Sequence, residues 1–198
     1  IGSTVNVNSA MRVGDRTNNT TFEADGSMVF NGTATVWEDL NFRPLSGVGN
    51  PTTLPDCVTI NTTIHREFTS ANNQLSGDSK ELPHSYKLGS ALSPHAHIFL
   101  KSGESVGTTG VTFTLYWELR QTTGTTSGSV TLTATSSQLA NGNKVDISNT
   151  AFAGAAELGA NLSVTIARTG GDAGDVILMT YGCHYECDSF GSSAITTK

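Results

Sequence analysis

The most regular pattern in this chain lies at residues 111–120, which read VTFTLYWELR. Apolar residues occupy every second position from Val111 to Leu119, and Thr, Tyr, Glu and Arg occupy the positions between them. A period of two places alternate side chains on opposite faces of an extended strand. We therefore predict a β-strand here, with one buried face and one wetter face.

Shorter segments elsewhere repeat this strand character. Runs rich in Val, Thr, Ile, Phe and Tyr are separated by clusters of Gly, Asn, Asp and Ser, which is typical of strands joined by turns. Roughly eight or more short strands with irregular loops predict an all-β fold, an antiparallel β-sandwich of the jelly-roll type. We expect residues 1–20, which are polar and rich in Asn and Thr, to form an N-terminal arm or linker. Residues 21–198 then form a single sandwich domain.

The composition argues against two classes of binding partner, nucleic acids and membranes. Charged residues make up 14% of the chain, the net charge is -6, and no cluster of Lys or Arg is present. A nucleic-acid partner is therefore not expected, because neutralising phosphates requires a basic patch. No apolar run approaches the roughly 20 residues that span a bilayer, so no membrane partner is expected either.

Cys57, Cys183 and Cys187 are interpreted as buried free thiols.

Three of the five histidines lie within residues 84–97, a segment that becomes strand-like towards its end. His95 and His97 are two positions apart, so on a strand both side chains project from one face. His184 and Glu186 share a face of a later strand and come close if the two strands are neighbours. The candidate metal ligands are therefore His95, His97 and His184.

The competing interpretation is that these side chains are hydrogen-bonded polar residues at a strand face or at a contact between subunits. That set is His95, His97, His184 and Glu186, and it is the interpretation we favour. Under this interpretation we expect no catalytic residue and no cofactor.

The spacing of Gly89, His95 and His97 resembles the opening of the first cupin motif, and cupins are small β-barrels that bind iron, manganese or zinc. The resemblance implies, as an alternative, a cupin-like metal-dependent enzyme that uses His95 and His97. The sequence departs from the motif beyond the histidines, because the next glutamate is Glu104.

Three further segments, taken in order, resemble a family of tailed-bacteriophage virion proteins. The first box is Trp37-Glu38-Asp39-Leu40, the second covers residues 83–97 and reads PHSYKLGSALSPHAH, and the third covers residues 184–192 and reads HYECDSFGS. Together with the sequence between them, they extend the resemblance over about residues 21–198. One departure is Ile98, where such sequences often hold a tryptophan.

The resemblance implies a non-enzymatic structural protein of the virion, on the exterior of the particle. The expected role is a capsid decoration or head-fibre module, self-associated as a homotrimer and bound to other virion proteins such as the major capsid or tail proteins. The alternative within the same class is a tail-fibre or receptor-binding module that uses surface loops.

Overall fold

The structure is a computed structural model that describes residues 10–24, 27–42, 54–69, 74–76, 79–149 and 156–190. Over these residues the chain is almost entirely β-strand, which confirms the all-β prediction. The strands in chain order are β1 Met11–Gly14, β2 Asn19–Phe22, β3 Met28–Asn31, β4 Val36–Phe42, β5 Asp56–Ile60, β6 Thr63–Phe68, β7 Gln74–Ser76, β8 Lys80–Glu81, β9 Ser93–Leu100, β10 Val111–Gln121, β11 Gly124–Ala134, β12 Val145–Ser148, β13 Asn161–Gly170 and β14 Val176–Cys187.

A single turn of helix, α1, spans Ser136–Leu139. Thr135 and Gln138 form its capping box, each side chain bonding the backbone N–H of the other. Among the described residues there is no helix with the length and apolar character of a membrane span.

All described strand pairs are antiparallel, and they form three sheets. β1, β2 and β3 make a small sheet in that order. A five-stranded sheet has the order β11-β10-β13-β7, with β8 also paired to β13. A six-stranded sheet has the order β12-β9-β14-β6-β5, with β4 also paired to β14.

The connectivity of the two larger sheets is that of a jelly roll. From β6 onward the chain passes to the five-stranded sheet at β7 and β8 and returns at β9. It crosses again for the β10–β11 hairpin, and then alternates between the sheets at β12, β13 and β14. The resulting strand orders, β12-β9-β14-β6 in one sheet and β11-β10-β13-β7 in the other, are those of a jelly roll, so the predicted sandwich architecture is confirmed.

The core lies between the two large sheets. Along β10 the residues Val111, Phe113, Leu115, Trp117 and Leu119 are buried and those between them are more exposed, which confirms the alternation seen in the sequence. The ring of Phe113 meets that of Phe68, from β6 in the opposite sheet, edge to face at 5.3 Å. Burial of these side chains from both sheets is the main stabilising contribution to the sandwich.

Part of the region expected to form the N-terminal arm consists of paired strands. Residues 1–9 lie outside the described residues, but β1 pairs with β2, and β2 pairs with β3. The boundary expected after residue 20 therefore passes through β2. Polar side chains help to organise this sheet: Asp15 accepts hydrogen bonds from the backbone of Thr17 and Asn18, and the Asn19 amide oxygen accepts one from Asn31.

Two of the three cysteines follow the prediction. Cys183 and Cys187 are buried free thiols on β14, and burial raises the pKa of both. Cys57 is a free thiol but is exposed, so the expectation of burial is wrong for it. Its sulfur lies 2.8 Å from an Arg66 guanidinium nitrogen on β6.

Candidate functional site

The site is organised by β14, which lies near the centre of the six-stranded sheet. β9 pairs along one edge of β14, and β4 pairs along the other edge of its second half. In this register Gly182 lies opposite His95, and His184 lies opposite both Asp39 and Ser93. Side chains from three strands that are distant in sequence therefore lie close together.

These polar side chains project from the outer face of the sheet, away from the core. On β9, Ala96 belongs to the core, and His95 and His97 on either side of it point the other way. On β14, Cys183 belongs to the core, and the next residue, His184, faces outward. The spacing of His95 and His97 thus places both on one face.

His95 is buried although it lies on the outer face. Its exposed fraction is 2%, and neither ring nitrogen has a hydrogen-bond partner among the described residues. The ring stacks on that of His184, with centroids 4.2 Å apart and planes 13° apart, and lies 5.1 Å from the ring of His97. Burying an imidazole without a partner costs about 1–3 kcal/mol, so this position is unfavourable as it stands.

The electrostatic surroundings hold His95 in the neutral form. Burial lowers its pKa, and the neighbouring His184 and His97 lower it further, to about 4. The carboxylates of Asp39 and Asp146 act in the opposite direction but do not offset these effects. At neutral pH the ring is therefore neutral, with an N–H on one nitrogen and an available lone pair on the other.

The absence of a side chain at Gly182 makes room for the His95 ring. A Cβ built on Gly182 would lie 3.1 Å from Cε1 of His95 and 2.7 Å from the backbone oxygen of Leu40 on β4. The imidazole and the edge of β4 therefore both approach β14 more closely than any other residue type at this position would allow.

His184 and Asp39 form the exposed half of the group. The Nε2 atom of His184 lies 2.9 Å from Oδ1 of Asp39, and both side chains are a little under half exposed. The potential ligand atoms of Asp39, His95 and His184 all lie within 4.8 Å of one another. This set contains two imidazoles and one carboxylate.

His97, the other candidate, interacts with β12 instead. Its Nε2 atom lies 3.6 Å from Oδ1 of Asp146, and that same oxygen lies 2.8 Å from the ammonium group of Lys144. The hydrogen bond from Lys144 lowers the pKa of the Asp146 carboxyl. His97 is therefore a neighbour of the close group and is not part of it.

Glu186 lies further along β14 and has partners of its own. Its carboxylate is 2.7 Å from the Lys87 ammonium and also accepts a hydrogen bond from the Thr35 hydroxyl. The backbone supports the same contact, because the Lys87 N–H donates to the Glu186 carbonyl at 2.8 Å. The structure thus joins Glu186 to the second box of the sequence and not to the histidines.

A shallow, open depression lies beside the group and is lined by Trp37, Ser93 and His184. Trp37 is 57% exposed, although tryptophan side chains are highly buried on average. The depression leads from solvent to the exposed ring of His184. It does not enclose a volume in which a substrate would be surrounded.

The sequence interpretation missed Asp39 and Gly182. Asp39 was visible in the Trp37-Glu38-Asp39-Leu40 box, but its pairing with His184 depends on the long-range register between β4 and β14. Neighbouring residues of a strand face opposite sides, so Glu38 and Asp39 could be expected to do so. In the structure Glu38 accepts a hydrogen bond from the buried Tyr185 hydroxyl, and Asp39 faces outward. Gly182 had no such signal in the sequence.

No protein-family model matches the chain, and no curated protein matches it. Among solved structures, the chain is similar to a crystal structure of a glycoside hydrolase family 43 arabinoxylan arabinofuranohydrolase from Bacillus subtilis in complex with cellotetraose. The identity is 15% and the TM-score 0.38, over 86% of this chain and 33% of the hydrolase chain. The chain thus spans about a third of the length of that protein, and this similarity supports no inference about function.

Proposed function

We propose that this chain is a non-catalytic structural protein of a bacteriophage particle. In this role it is a capsid decoration or head-fibre module on the particle exterior, and it associates with further copies of itself through the outer face of the six-stranded sheet. The proposal combines the resemblance of the three sequence boxes with their arrangement in the fold.

The observation that carries the proposal is the convergence of the three boxes. β14 contains the start of the third box and pairs with β4, which contains the first. β9 pairs on its other side and contains the end of the second box. Beyond β14, the Asp188 N–H donates to the Ser85 carbonyl at 3.2 Å. Segments more than forty residues apart therefore build one continuous patch, as expected when they serve one role.

The chemistry of this patch suits contact with protein. Trp37 is exposed at its centre, and tryptophan is enriched among the residues that dominate binding energy at interfaces. The patch carries charges of both signs, since Asp39 lies beside His184, and Glu186, which is opposite Trp37 in the β4–β14 register, pairs with Lys87. A patch with both signs can meet a second copy of the same chain without net repulsion, and closed symmetric oligomers are the usual form of such self-association. We expect a homotrimer.

The cupin-like alternative has less support from the geometry. An enzyme that used His95 and His97 would need a concave pocket that holds its substrate against them. The described depression nearby is open, and His97 points to Asp146. These observations favour a contact surface over an active site.

The receptor-binding alternative has one observation in its favour, on the outer face of the other large sheet. Tyr116 on β10 is 45% exposed. It borders an open groove whose lining includes Ser127, Ser129, Ser163 and Thr165. A flat aromatic ring among hydroxyl groups is suited to contact a sugar ring.

Two matched substitutions separate these functions. Size-exclusion chromatography with light scattering should give a trimer for the full chain. Trp37→Ser should shift it towards monomer, whereas Tyr116→Ser, which also removes an exposed aromatic ring from a strand, should leave the trimer intact. A monomeric wild-type chain, or a trimer that is insensitive to Trp37→Ser, would contradict the proposal. Loss of binding to host cells on Tyr116→Ser alone would favour the receptor-binding alternative.

A further inference from the structure

Asp39, His95 and His184 combine donors of the type and number found in transition-metal sites. Two imidazoles and one carboxylate are typical ligands of zinc and of other divalent ions from the same part of the series. Three protein ligands leave one position for water or for a group from outside. The strands that carry them, β4, β9 and β14, are paired to one another, so the backbone holds the three residues in fixed relative positions.

The distances are compatible with a site that closes by side-chain rotation. The potential ligand atoms lie within 4.8 Å of one another, and two ligands of a tetrahedral zinc ion are about 3.4 Å apart, since each bond is about 2.0–2.1 Å long. Asp39 and His184 are partly exposed and already lie 2.9 Å apart, so the adjustment needed is small. His95 already stacks against His184.

The state of His95 is a second, independent observation that indicates a ligand. Its ring is 98% buried, and both nitrogens lack a partner in the described part of the chain. Buried polar groups in proteins are nearly always hydrogen-bonded, and an unpaired one calls for a specific explanation. A purely structural position would be better filled by an apolar side chain, because Gly182 and the His184 ring already supply packing contacts.

We propose that Asp39, His95 and His184 bind a divalent transition-metal ion, with zinc as the reference ion. The bound ion links β4, β14 and β9 on the outer face of the sheet, and the depression beside Trp37 and Ser93 is its route from solvent. His97 stays outside the ligand set and contacts the ligand His95 from the side, with Asp146 as its own partner.

This inference does not depend on the proposed function, because a monomeric chain that binds zinc would satisfy it equally. The carboxylate of Asp172, between β13 and β14, differs from this group because its oxygens already have partners. There both carboxylate oxygens already accept hydrogen bonds from the backbone and hydroxyl groups of Thr108 and Thr109.

Zinc titration of the full chain, freed of metal by a chelator, tests the proposal. Calorimetry with zinc chloride should show one ion per chain. Asp39→Asn and His184→Gln should each weaken zinc affinity at least about 100-fold, more than the loss of a supporting residue outside the ligand set. Both side chains are partly exposed, so these variants should fold, and circular dichroism checks that they do.

Control substitutions at other potential zinc-binding groups sharpen the result. Cys57→Ser removes the exposed thiol, and His65→Gln removes a histidine that packs against Phe99. Both should bind zinc with wild-type affinity, and His97→Gln should lose less than about 100-fold, since His97 contacts a ligand but lies outside the ligand set. The visible absorption of bound cobalt, lost in Asp39→Asn and His184→Gln but kept in the controls, is a second readout.

Three results would overturn the proposal. The first is the absence of zinc binding by the chelated wild-type chain. The second is wild-type affinity in both Asp39→Asn and His184→Gln. The third is a loss of 100-fold or more in His97→Gln, because that would place the ion on a different set of ligands.

Discussion

The close approach of β4 to β14 at Gly182 makes Gly182→Ala the most informative single substitution in the fold. The added methyl group would lie 2.7 Å from the Leu40 backbone oxygen, 3.1 Å from Cε1 of His95 and 3.3 Å from Cα of Asn41. The His95 ring can rotate away, but the Leu40 carbonyl belongs to the backbone of β4, so β4 must move. The strand that carries Asp39 is thereby displaced.

The magnitude follows from two opposing effects. Overpacking of a closely packed position destabilises the folded state by about 1–3 kcal/mol. Replacing glycine also lowers the conformational entropy of the unfolded chain, which stabilises the folded state by about 0.4–1 kcal/mol. We therefore expect Gly182→Ala to lower the free energy of unfolding by about 1–2 kcal/mol. For a chain of 198 residues this corresponds to a fall in Tm of about 2–8 °C.

Urea unfolding in the presence of a chelator measures the effect, with Gly170→Ala on β13 as the matched control. Gly170 is also a strand glycine, but its nearest contact for a new Cβ is the Thr112 Cβ at 3.6 Å, which is ordinary packing. The control should be as stable as wild type or up to about 1 kcal/mol more stable. If Gly182→Ala matches the control in both midpoint and slope, the close contact between β4 and β14 is refuted.

Three further substitutions test other parts of the structure. Asp172 accepts hydrogen bonds from Thr108 and Thr109 that lower its pKa, so its stabilising effect is complete above the unfolded-state value of about 3.9 and is lost below it. Asp172→Asn should therefore lower Tm at pH 7, and thermal melts should show the difference from wild type shrinking below about pH 4; a constant difference would contradict this. Phe113→Ala should cost about 3–5 kcal/mol in urea unfolding, since its ring contacts the opposite sheet, and a loss under 1 kcal/mol would contradict that packing. Arg168→Met should cost at least about 2 kcal/mol in the same assay, because the guanidinium bonds backbone carbonyls that would lose their donor, and unchanged stability would contradict this.

The local pattern of the chain was sufficient to predict its architecture. The alternation at residues 111–120 identified β10 and its buried face, because side chains of a strand in a sandwich must divide between core and outer face. The same rule placed His95 and His97 together on β9. These features depend on neighbours one or two positions away, and such neighbours are visible in a sequence.

The composition of the site was less accessible because it depends on strand register. Asp39 meets His184 across a gap of 145 positions in the chain, and no local pattern specifies that β4 pairs with β14. The role of Gly182 follows from the same pairing. β1 and the start of β2 were missed for another reason, since side-chain hydrogen bonds of Asp15 and Asn19 organise them in place of an apolar face.

We propose that the outer face of the six-stranded sheet is a contact surface on a virus particle. A cryo-electron microscopy map of the phage particle that is proposed to carry this chain tests it most directly. We predict density for a trimer of the sandwich on the particle exterior, with Trp37 and the β4, β9 and β14 face covered by a neighbouring subunit. A particle that lacks the chain, or a map in which this face is open to solvent, would contradict the claim.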